Sequence, residues 1–377
     1  MARNKSKKVL FVSNLTNFIK FNIPYIDWFQ DQGYVVDYAA AGEEELPQGY
    51  CRNHIRLPIN RSPWSLKNIQ SWRKLRSIIN KEGYDIVHCH TPMGGVIARL
   101  AAKRARKQGT KVIYTAHGFH FYKGAPLLNW MLYYTAEKYL SKCTDCIITI
   151  NEEDYKTIVK RKFRAQQIVK IDGVGVDLKR FFPVSNFQKD YYREQFGIKK
   201  DDFAILYIAE FIDRKNHIFL INAFQQIKKS IPNAKLVFAG TGVLLENCKE
   251  EVKRLEMRDE ILFLGYRKDV PQLCQACDLL VSSSKQEGLP IGILEGMATG
   301  MPIICASIRG QVDVIDDGVN GYLYPVNNQK VFIEKVQKLY NNTELCKDMG
   351  KENIQRAQKY SVEKAVEAMS KVYQKYM

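Results

Sequence analysis

Short apolar runs alternate with longer amphipathic stretches along the whole chain, which predicts parallel strands joined by crossover helices. In the first half the apolar runs fall at Val9–Val12, Val35–Ala39, Ile86–His88, Val112–Thr115, Cys146–Ile150 and Ile168–Ile171. Between them, helical spacing of apolar residues predicts helices near Pro24–Gln32, Leu66–Lys81, Gly95–Lys107, Leu127–Leu140 and Glu152–Lys162. The segment from Gly173 to Pro183 reads as the exit from a first domain, and a polar stretch from Ser185 to Gly197 follows it. A second set of strands is expected at Phe203–Ile208, Leu236–Ala239, Ile261–Phe263, Leu279–Val281, Ile303–Cys305 and Tyr322–Tyr324. Val362, Ala365, Val366, Met369, Val372 and Tyr373 mark a last helix, Val362–Tyr376. No internal repeat breaks this rhythm.

Composition makes that pattern two domains. With 377 residues and 46% apolar content, the chain can bury two cores without a disulfide or metal staple. Nine scattered cysteines indicate a reducing compartment. Cys143-x-x-Cys146 and Cys274-x-x-Cys277 have zinc-like spacing, but each pair also reads as small buried residues at a helix end, and that reading is preferred. No apolar run reaches the ~20 residues of a bilayer span. The basic start, Met1 to Lys8, leads straight into a strand and so does not read as a signal peptide. Of the net charge of +17, residues 1–175 carry 28 Lys+Arg against 14 Asp+Glu, while the remainder carries 29 against 26. The excess therefore sits in the first half, which implies an anionic surface or acceptor facing it. No motif that reads nucleic acid accompanies the charge, so a nucleic-acid partner is not expected.

One stretch carries most of the chemistry. Glu287-Gly288-Leu289-Pro290-Ile291-Gly292-Ile293-Leu294-Glu295 follows a buried strand and the run Ser282-Ser283-Ser284. Pro290 suits the first position of a helix running to Gly300, with Glu287 at its mouth and Glu295 in its second turn. Free amides and the helix dipole favour a phosphate there. Two carboxylates beside a phosphate suit a sugar nucleotide.

Glu-x₇-Glu, with Gly-x-Pro after its first Glu, resembles the signature of retaining glycosyltransferase family 4. The resemblance implies the GT-B architecture: two Rossmann-like α/β domains facing a cleft, here residues 1–178 and 190–357, with a helix at 358–377 crossing back to the first domain. It implies that Glu295 grips the donor ribose, that Glu287 contacts the donor sugar with Gly288, Leu289 and Pro290, and that Lys215 holds the diphosphate. In Asp213-Arg214-Lys215-Asn216, Asn216 stands where the family has Gly, and Glu210 occupies the family's Arg position. Arg214 is the substitute cation, though its side chain is expected to point differently from that of Lys215. Gly240 and Gly242 end a strand as Gly-x-Gly, where glycine lets a ligand approach the backbone, and Arg267 lies in the loop that holds the nucleobase in the family. After the first strand the family's glycine pair is absent, so Asn14 and Thr16 are expected to donate hydrogen bonds instead.

In the first half, His117 matches the family's His in a Thr-x-His-Gly context and is expected at the transferred sugar or acceptor. His88 and His90 share a side of their strand and are read as packing residues. The stretch from Asp85 to Tyr155 resembles bacterial capsule and exopolysaccharide glycosyltransferases. Phe119, His120, Phe121 and Tyr122, with Lys103, Arg104, Arg106, Lys107 and Arg99 on one helix and Trp64, Trp72, Arg73, Lys74 and Arg76 on another, are expected to form an acceptor and membrane face. No Asp-x-Asp occurs, so no metal ligand pair is expected and no cofactor is needed beyond the nucleotide-sugar donor. The expected enzyme moves a hexose or N-acetylhexosamine from a UDP-sugar to a lipid-diphosphate-linked saccharide. It would be cytoplasmic, held peripherally at the inner face of a bacterial membrane. The alternative is a UDP-sugar epimerase of the same fold, acting without acceptor.

Overall fold

The computed structural model describes residues 6–377. Met1–Lys5, most of the basic start, lie outside the described residues. The chain divides into two compact units, one of Met1–Val174 with Glu363–Met377 and the other of Gly175–Val362. The C-terminal helix Val362–Tyr373 thus belongs mostly to the first unit.

The first unit holds seven strands: β1 Lys8–Leu15, β2 Val35–Ala41, β3 Asn53–Arg56, β4 Ile86–His90, β5 Lys111–Ala116, β6 Cys146–Thr149 and β7 Gln167–Lys170. They lie in the order β3-β2-β1-β4-β5-β6-β7, every pair parallel. All five residues of β4 are buried, as expected of a central parallel strand covered by helices on both faces. The second unit holds β8 Phe203–Ile208, β9 Ala234–Ala239, β10 Ile261–Phe263, β11 Leu279–Ser282, β12 Ile303–Ala306 and β13 Tyr322–Tyr324. Their order is β10-β9-β8-β11-β12-β13, again parallel throughout. Its sheet is packed on both faces, with Ile205, Tyr207 and Phe238 on one side and Leu206, Val237 and Leu280 on the other.

Each sheet reverses its strand order once, between β1 and β4 and between β8 and β11. Loops at the carboxyl ends of such a strand pair diverge to opposite faces and leave a crevice, where ligands of open α/β sheets bind. Two elements escape the hydrophobic pattern. β3 is a half-exposed edge strand, and the polar stretch after Ser185 is a helix, Asn186–Gln195, whose first turn is capped by Ser185 Oγ accepting from Gln188 N at 3.3 Å. Ser at the cap with Gln three residues on is the only local signal for it.

Candidate active site

The crevice of the second unit is built from the loops after β8 and β11. After β8 the chain makes a short 3₁₀ turn, Asp213–Lys215, ended by Asn216 at φ 56° and ψ 45°. That left-handed conformation is what glycine supplies cheaply and asparagine tolerates best among the other residues, which accounts for Asn216 where the family pattern has Gly. The Asn216 side chain also donates to Asn327 Oδ1 at 3.0 Å. The turn is pinned from β8 and β11. Tyr207 Oη and Ser283 Oγ both donate to the Lys215 carbonyl at 2.9 Å, Ser283 Oγ reaches Asn216 O at 3.0 Å, and Lys285 N donates to Arg214 O at 2.7 Å. Tyr207 Oη also lies 2.9 Å from Ser284 Oγ.

So held, Lys215 ion-pairs with Oε1 of the buried Glu287, and Arg214 Nη1 stands 3.5 Å from its Oε2. The two cations converge on one carboxylate. The expectation that Arg214 points away from its neighbour is corrected, because the tight turn folds both side chains toward the β11 loop. Burial raises the Glu287 pKa, but the Lys215 and Arg214 charges, with hydrogen bonds from Lys215 and Ser284, outweigh it and hold the carboxyl below its usual range.

Glu287 leads through Gly288 and Leu289 to the helix Ile291–Ala298. Pro290 is the residue capping this helix rather than its first member, with φ −83° and ψ 96°. The helix is also shorter than expected, because Gly300 turns the chain at φ 79°. The amides of Ile291 and Gly292 open the helix and have no intrahelical partner. Glu295 is half-buried one turn above Ile291, and positions four apart share a helix face.

Arg309, absent from the sequence reading, donates from Nε to the Glu287 carbonyl at 3.0 Å and is itself buried. The buried Gln311 donates to Ser282 Oγ at 2.6 Å. A Cβ on Gly310 would come within 2.2 Å of Gly288 O, so the loop after β12 presses directly on the Glu287 turn. Their one sequence signal is position, just past the carboxyl end of a buried strand.

Gly240 and Gly242 also have a packing reason. Cβ atoms there would lie 2.0 Å from Ala209 O and 2.6 Å from Phe211 N, so neighbouring backbone fills the place a side chain would take. Glu210, at the family's Arg position, is exposed. Arg267 is engaged within its own loop, with Nε 2.8 Å from Asp269 Oδ1 and its guanidinium 5.3 Å from the Phe196 ring.

In the first unit the switch point gathers three histidines. His88 Nε2 lies 2.8 Å from Thr115 Oγ1 and its Nδ1 2.8 Å from Tyr373 Oη on the last helix. His90 Nδ1 lies 3.1 Å from His117 Nε2, and the Phe18 ring packs edge-on against His117 at 5.0 Å. Burial lowers the pKa of His88 to about 3, that of His117 to about 4 and that of His90 well below its usual value. All three are therefore neutral at pH 7. Their unfolded counterparts take up protons below about pH 6.5. Between there and the folded pKa values the unfolded chain binds more protons, so stability must fall as pH is lowered. The urea midpoint is expected to drop between pH 7 and pH 5.5, above most carboxylate titration, and an unchanged midpoint would contradict the assignment.

Asn14 and Thr16 also make structural hydrogen bonds. Asn14 Oδ1 accepts from Thr91 Oγ1 at 2.9 Å and from the Gly94 amide, tying β1 to the start of the helix Pro92–Arg106, while Thr16 Oγ1 donates to Ala41 O at 3.1 Å. The expected acceptor face changes more. Phe119 and Phe121 are buried, stacked on each other at 4.7 Å, whereas His120 and Tyr122 are half-buried. Arg99 is wholly buried and Arg106 pairs with Asp145 at 3.0 Å, leaving Lys103, Arg104 and Lys107 exposed. The four cysteines of the two Cys-x-x-Cys pairs are buried free thiols. Among the described residues no group of three or more His, Cys, Asp or Glu is placed to hold a metal ion.

Residues 188–356 match the family model described as Glycosyl transferases group 1, and residues 8–151 the model described as Glycosyl transferase 4-like. EpsD of Bacillus subtilis (strain 168), a protein described as a glycosyltransferase, is 43% identical over 373 residues, covering 99% of this chain and 97% of its own. The UDP-Gal:alpha-D-GlcNAc-diphosphoundecaprenol alpha-1,3-galactosyltransferase of Escherichia coli is 29% identical over 277 residues, 73% of this chain and 71% of its own. The crystal structure of Anabaena HepE in complex with UDP and glucose superposes with a TM-score of 0.82 at 18% identity, covering 98% of this chain and 99% of that one. At that identity the likeness establishes the fold, GT-B.

Proposed function

The chain belongs to the group 1 and 4-like glycosyltransferases, and we propose that it transfers a hexose or N-acetylhexosamine from a UDP-sugar to a polyprenyl-diphosphate-linked saccharide, with retention of configuration, in the synthesis of a bacterial surface polysaccharide. The observation that carries this reading is the pairing of Lys215 and Arg214 with Glu287 at the mouth of the helix that bears Glu295. In the free enzyme the Glu287 carboxylate is the anion facing both cations. A donor diphosphate is the stronger anion and takes over Lys215, Arg214 and the amides of Ile291 and Gly292. Glu287 is thereby released toward the sugar, and Glu295, further along the same helix, takes the ribose hydroxyls.

As the bond from the sugar's anomeric carbon to the phosphate oxygen breaks, charge grows on the diphosphate, and fixed cations and amides stabilise it without reorganising. The acceptor hydroxyl attacks on the same face and its proton passes to the departing phosphate oxygen, so no protein nucleophile is required. His117 keeps Nδ1 for the transferred sugar or the acceptor, because His90 occupies its Nε2. The lipid-linked acceptor is supported by the Escherichia coli relative, whose name specifies UDP-Gal and a diphosphoundecaprenol-linked sugar. The same acceptor, and the basic first half, support peripheral binding at the inner face of an anionic membrane. Among the described residues no helix is long and apolar enough to cross one.

The test is incubation with UDP-glucose, UDP-galactose, UDP-GlcNAc and UDP-GalNAc, each with and without polyprenyl-diphosphate saccharides, in EDTA. Transfer is expected from one UDP-sugar, only when acceptor is present, with an α-linked product and undiminished rate in EDTA. Conversion of a UDP-sugar without acceptor would identify the epimerase instead, and activity restored only by Mg²⁺ would overturn the cationic diphosphate site. In the same assay Glu295→Ala is expected to weaken donor binding by about 1.5–3 kcal/mol, the worth of a hydrogen bond to a charged group, read as a raised donor KM with kcat less affected. An unchanged KM would remove Glu295 from the donor site.

A further inference from the structure

Residues 127–140 form one continuous helix whose middle turn, Trp130–Tyr134, is wound as a π-helix. Its inner side is anchored by rings: Trp130 and Tyr134 each lie 5.5 Å from Phe121, and Tyr134 lies 5.8 Å from Phe163. Its outer side is apolar and open. Leu127 is 76% exposed, Leu128 62%, Met131 63% and Leu132 42%. Four large aliphatic side chains on consecutive turns are uncommon on a free surface and mark a contact face.

Charge decides what covers it. The single acidic residue of this helix, Glu137, is buried against Arg99, so the exposed face carries no negative charge. Cations stand at both ends. The Arg161 guanidinium lies 5.6 Å from the Trp130 ring, bringing the exposed Lys160 and Lys162 to one end, while the exposed Arg164, whose amide donates to Ser141 Oγ at 2.8 Å, lies with the other. Arg106 Nη1 donates to Lys142 O at 3.1 Å, bringing the exposed Lys103, Arg104 and Lys107 to the other. The acids on the neighbouring elements are engaged: the buried Asp145 pairs with Arg106 at 3.0 Å, and Glu153 and Asp154 accept from the amides of Lys123 and Phe119.

We propose that this stripe lies in the interfacial layer of an anionic membrane, with Leu127, Leu128, Met131 and Leu132 among the acyl chains and the two basic clusters on lipid phosphates. Apolar residues rimmed by Lys and Arg, with acids excluded, are the makeup of a helix that lies in an interface. A second copy of the chain would meet the same cations with like charge, which disfavours self-association through this face. The inference rests on the membrane reading above but replaces Phe119 and Phe121, which are buried, as its apolar part.

The experiment is co-sedimentation with vesicles of phosphatidylglycerol and phosphatidylcholine, or of phosphatidylcholine alone, using wild type, Leu128→Gln/Met131→Gln and Lys103→Glu/Lys162→Glu. Both sites are exposed, so unchanged circular dichroism is expected. Wild type should bind the anionic vesicles, be partly released by NaCl, and ignore neutral ones. Each double variant should bind at least about tenfold more weakly, scaled from the loss of buried apolar area or of lipid-phosphate charge pairs. Wild-type binding retained by Leu128→Gln/Met131→Gln, or no binding by wild type, overturns the proposal. So does a wild-type dimer made monomeric by Leu128→Gln/Met131→Gln, which would assign the stripe to a second copy. Transfer to a water-soluble acceptor should be equal in wild type and Leu128→Gln/Met131→Gln. Its absence in both would sink the transferase reading while the vesicle result stands by itself.

Discussion

Lys215→Ala is expected to lower kcat by about 10²–10³-fold at saturating donor, the usual loss when one group facing developing transition-state charge is removed. Two features of the site make this the largest catalytic effect. The Lys215 carbonyl is fixed by Tyr207 and Ser283, so the ammonium is placed before the donor arrives and little is spent in ordering it. Arg214, the other cation, stands 3.5 Å from Glu287 with a side chain 44% exposed, so it is the more loosely held and hydrated partner. The variant should also leave Glu287 buried beside a single distant cation. Burial alone raises its pKa and Lys215 is the first charge opposing it, so the carboxyl should titrate at higher pH than in the wild type. Glu287 contributes stability at neutral pH that is lost as pH falls through its lowered folded value, and the variant should lose it at a higher pH. Steady-state kinetics with pH-dependent unfolding checks both parts. Near-normal kcat would remove Lys215 from the diphosphate site.

The largest stability effect is expected at Arg99. Its guanidinium is inaccessible to solvent, sits 3.9 Å over the Tyr114 ring, donates from Nε to Gly95 O at 2.9 Å, and meets both oxygens of Glu137 at 2.8 and 2.9 Å. Tyr114 Oη lies 3.3 Å from Glu137 Oε1. Gly95 has no room to grow, because a Cβ there would be 2.5 Å from the Tyr114 ring. Removing one partner of such a pair leaves the other charge buried and costs about 3–5 kcal/mol. Arg99→Leu should therefore lower the urea midpoint by far more than Lys103→Leu, whose side chain is exposed. Arg99→Leu/Glu137→Leu should recover much of the loss, because apolar pairs of similar volume replace buried ion pairs at little cost. A small effect in Arg99→Leu, or no recovery in the double variant, would show that the pair does not hold the exposed helix to the sheet.

The strands were legible because a parallel sheet buried on both faces demands uninterrupted apolar runs, and Val9–Val12, Cys146–Ile150 and Leu279–Val281 have them. β3 was not legible, since an edge strand with exposed ends and a half-buried middle needs no such run. The helix Asn186–Gln195 was missed because it is largely exposed and so keeps a polar composition. In the site, Glu287, Lys215 and Glu295 stood out because a family-like local pattern within one loop or helix is visible in one dimension. Arg309 and Tyr207 did not, since they act through contacts between loops from different strands.

By itself, then, the sequence determined the two α/β units, the order along the chain of their strands other than β3, and the acidic and basic residues of the Lys215 and Glu287 loops. These follow from local backbone preference and periodic burial, which residues carry with them. Tertiary structure alone decided which like residues do unlike jobs. Phe119 and Phe121 became core while Leu127, Leu128 and Met131 faced out, and Arg99 became a buried ion-pair member while Lys103, on the same helix, stayed in water. Gly240 and Gly242 made way for the Ala209–Phe211 backbone. Such choices depend on which surfaces are brought together across the sheet, and an aromatic ring, a guanidinium or a glycine satisfies the same composition on either side of that boundary.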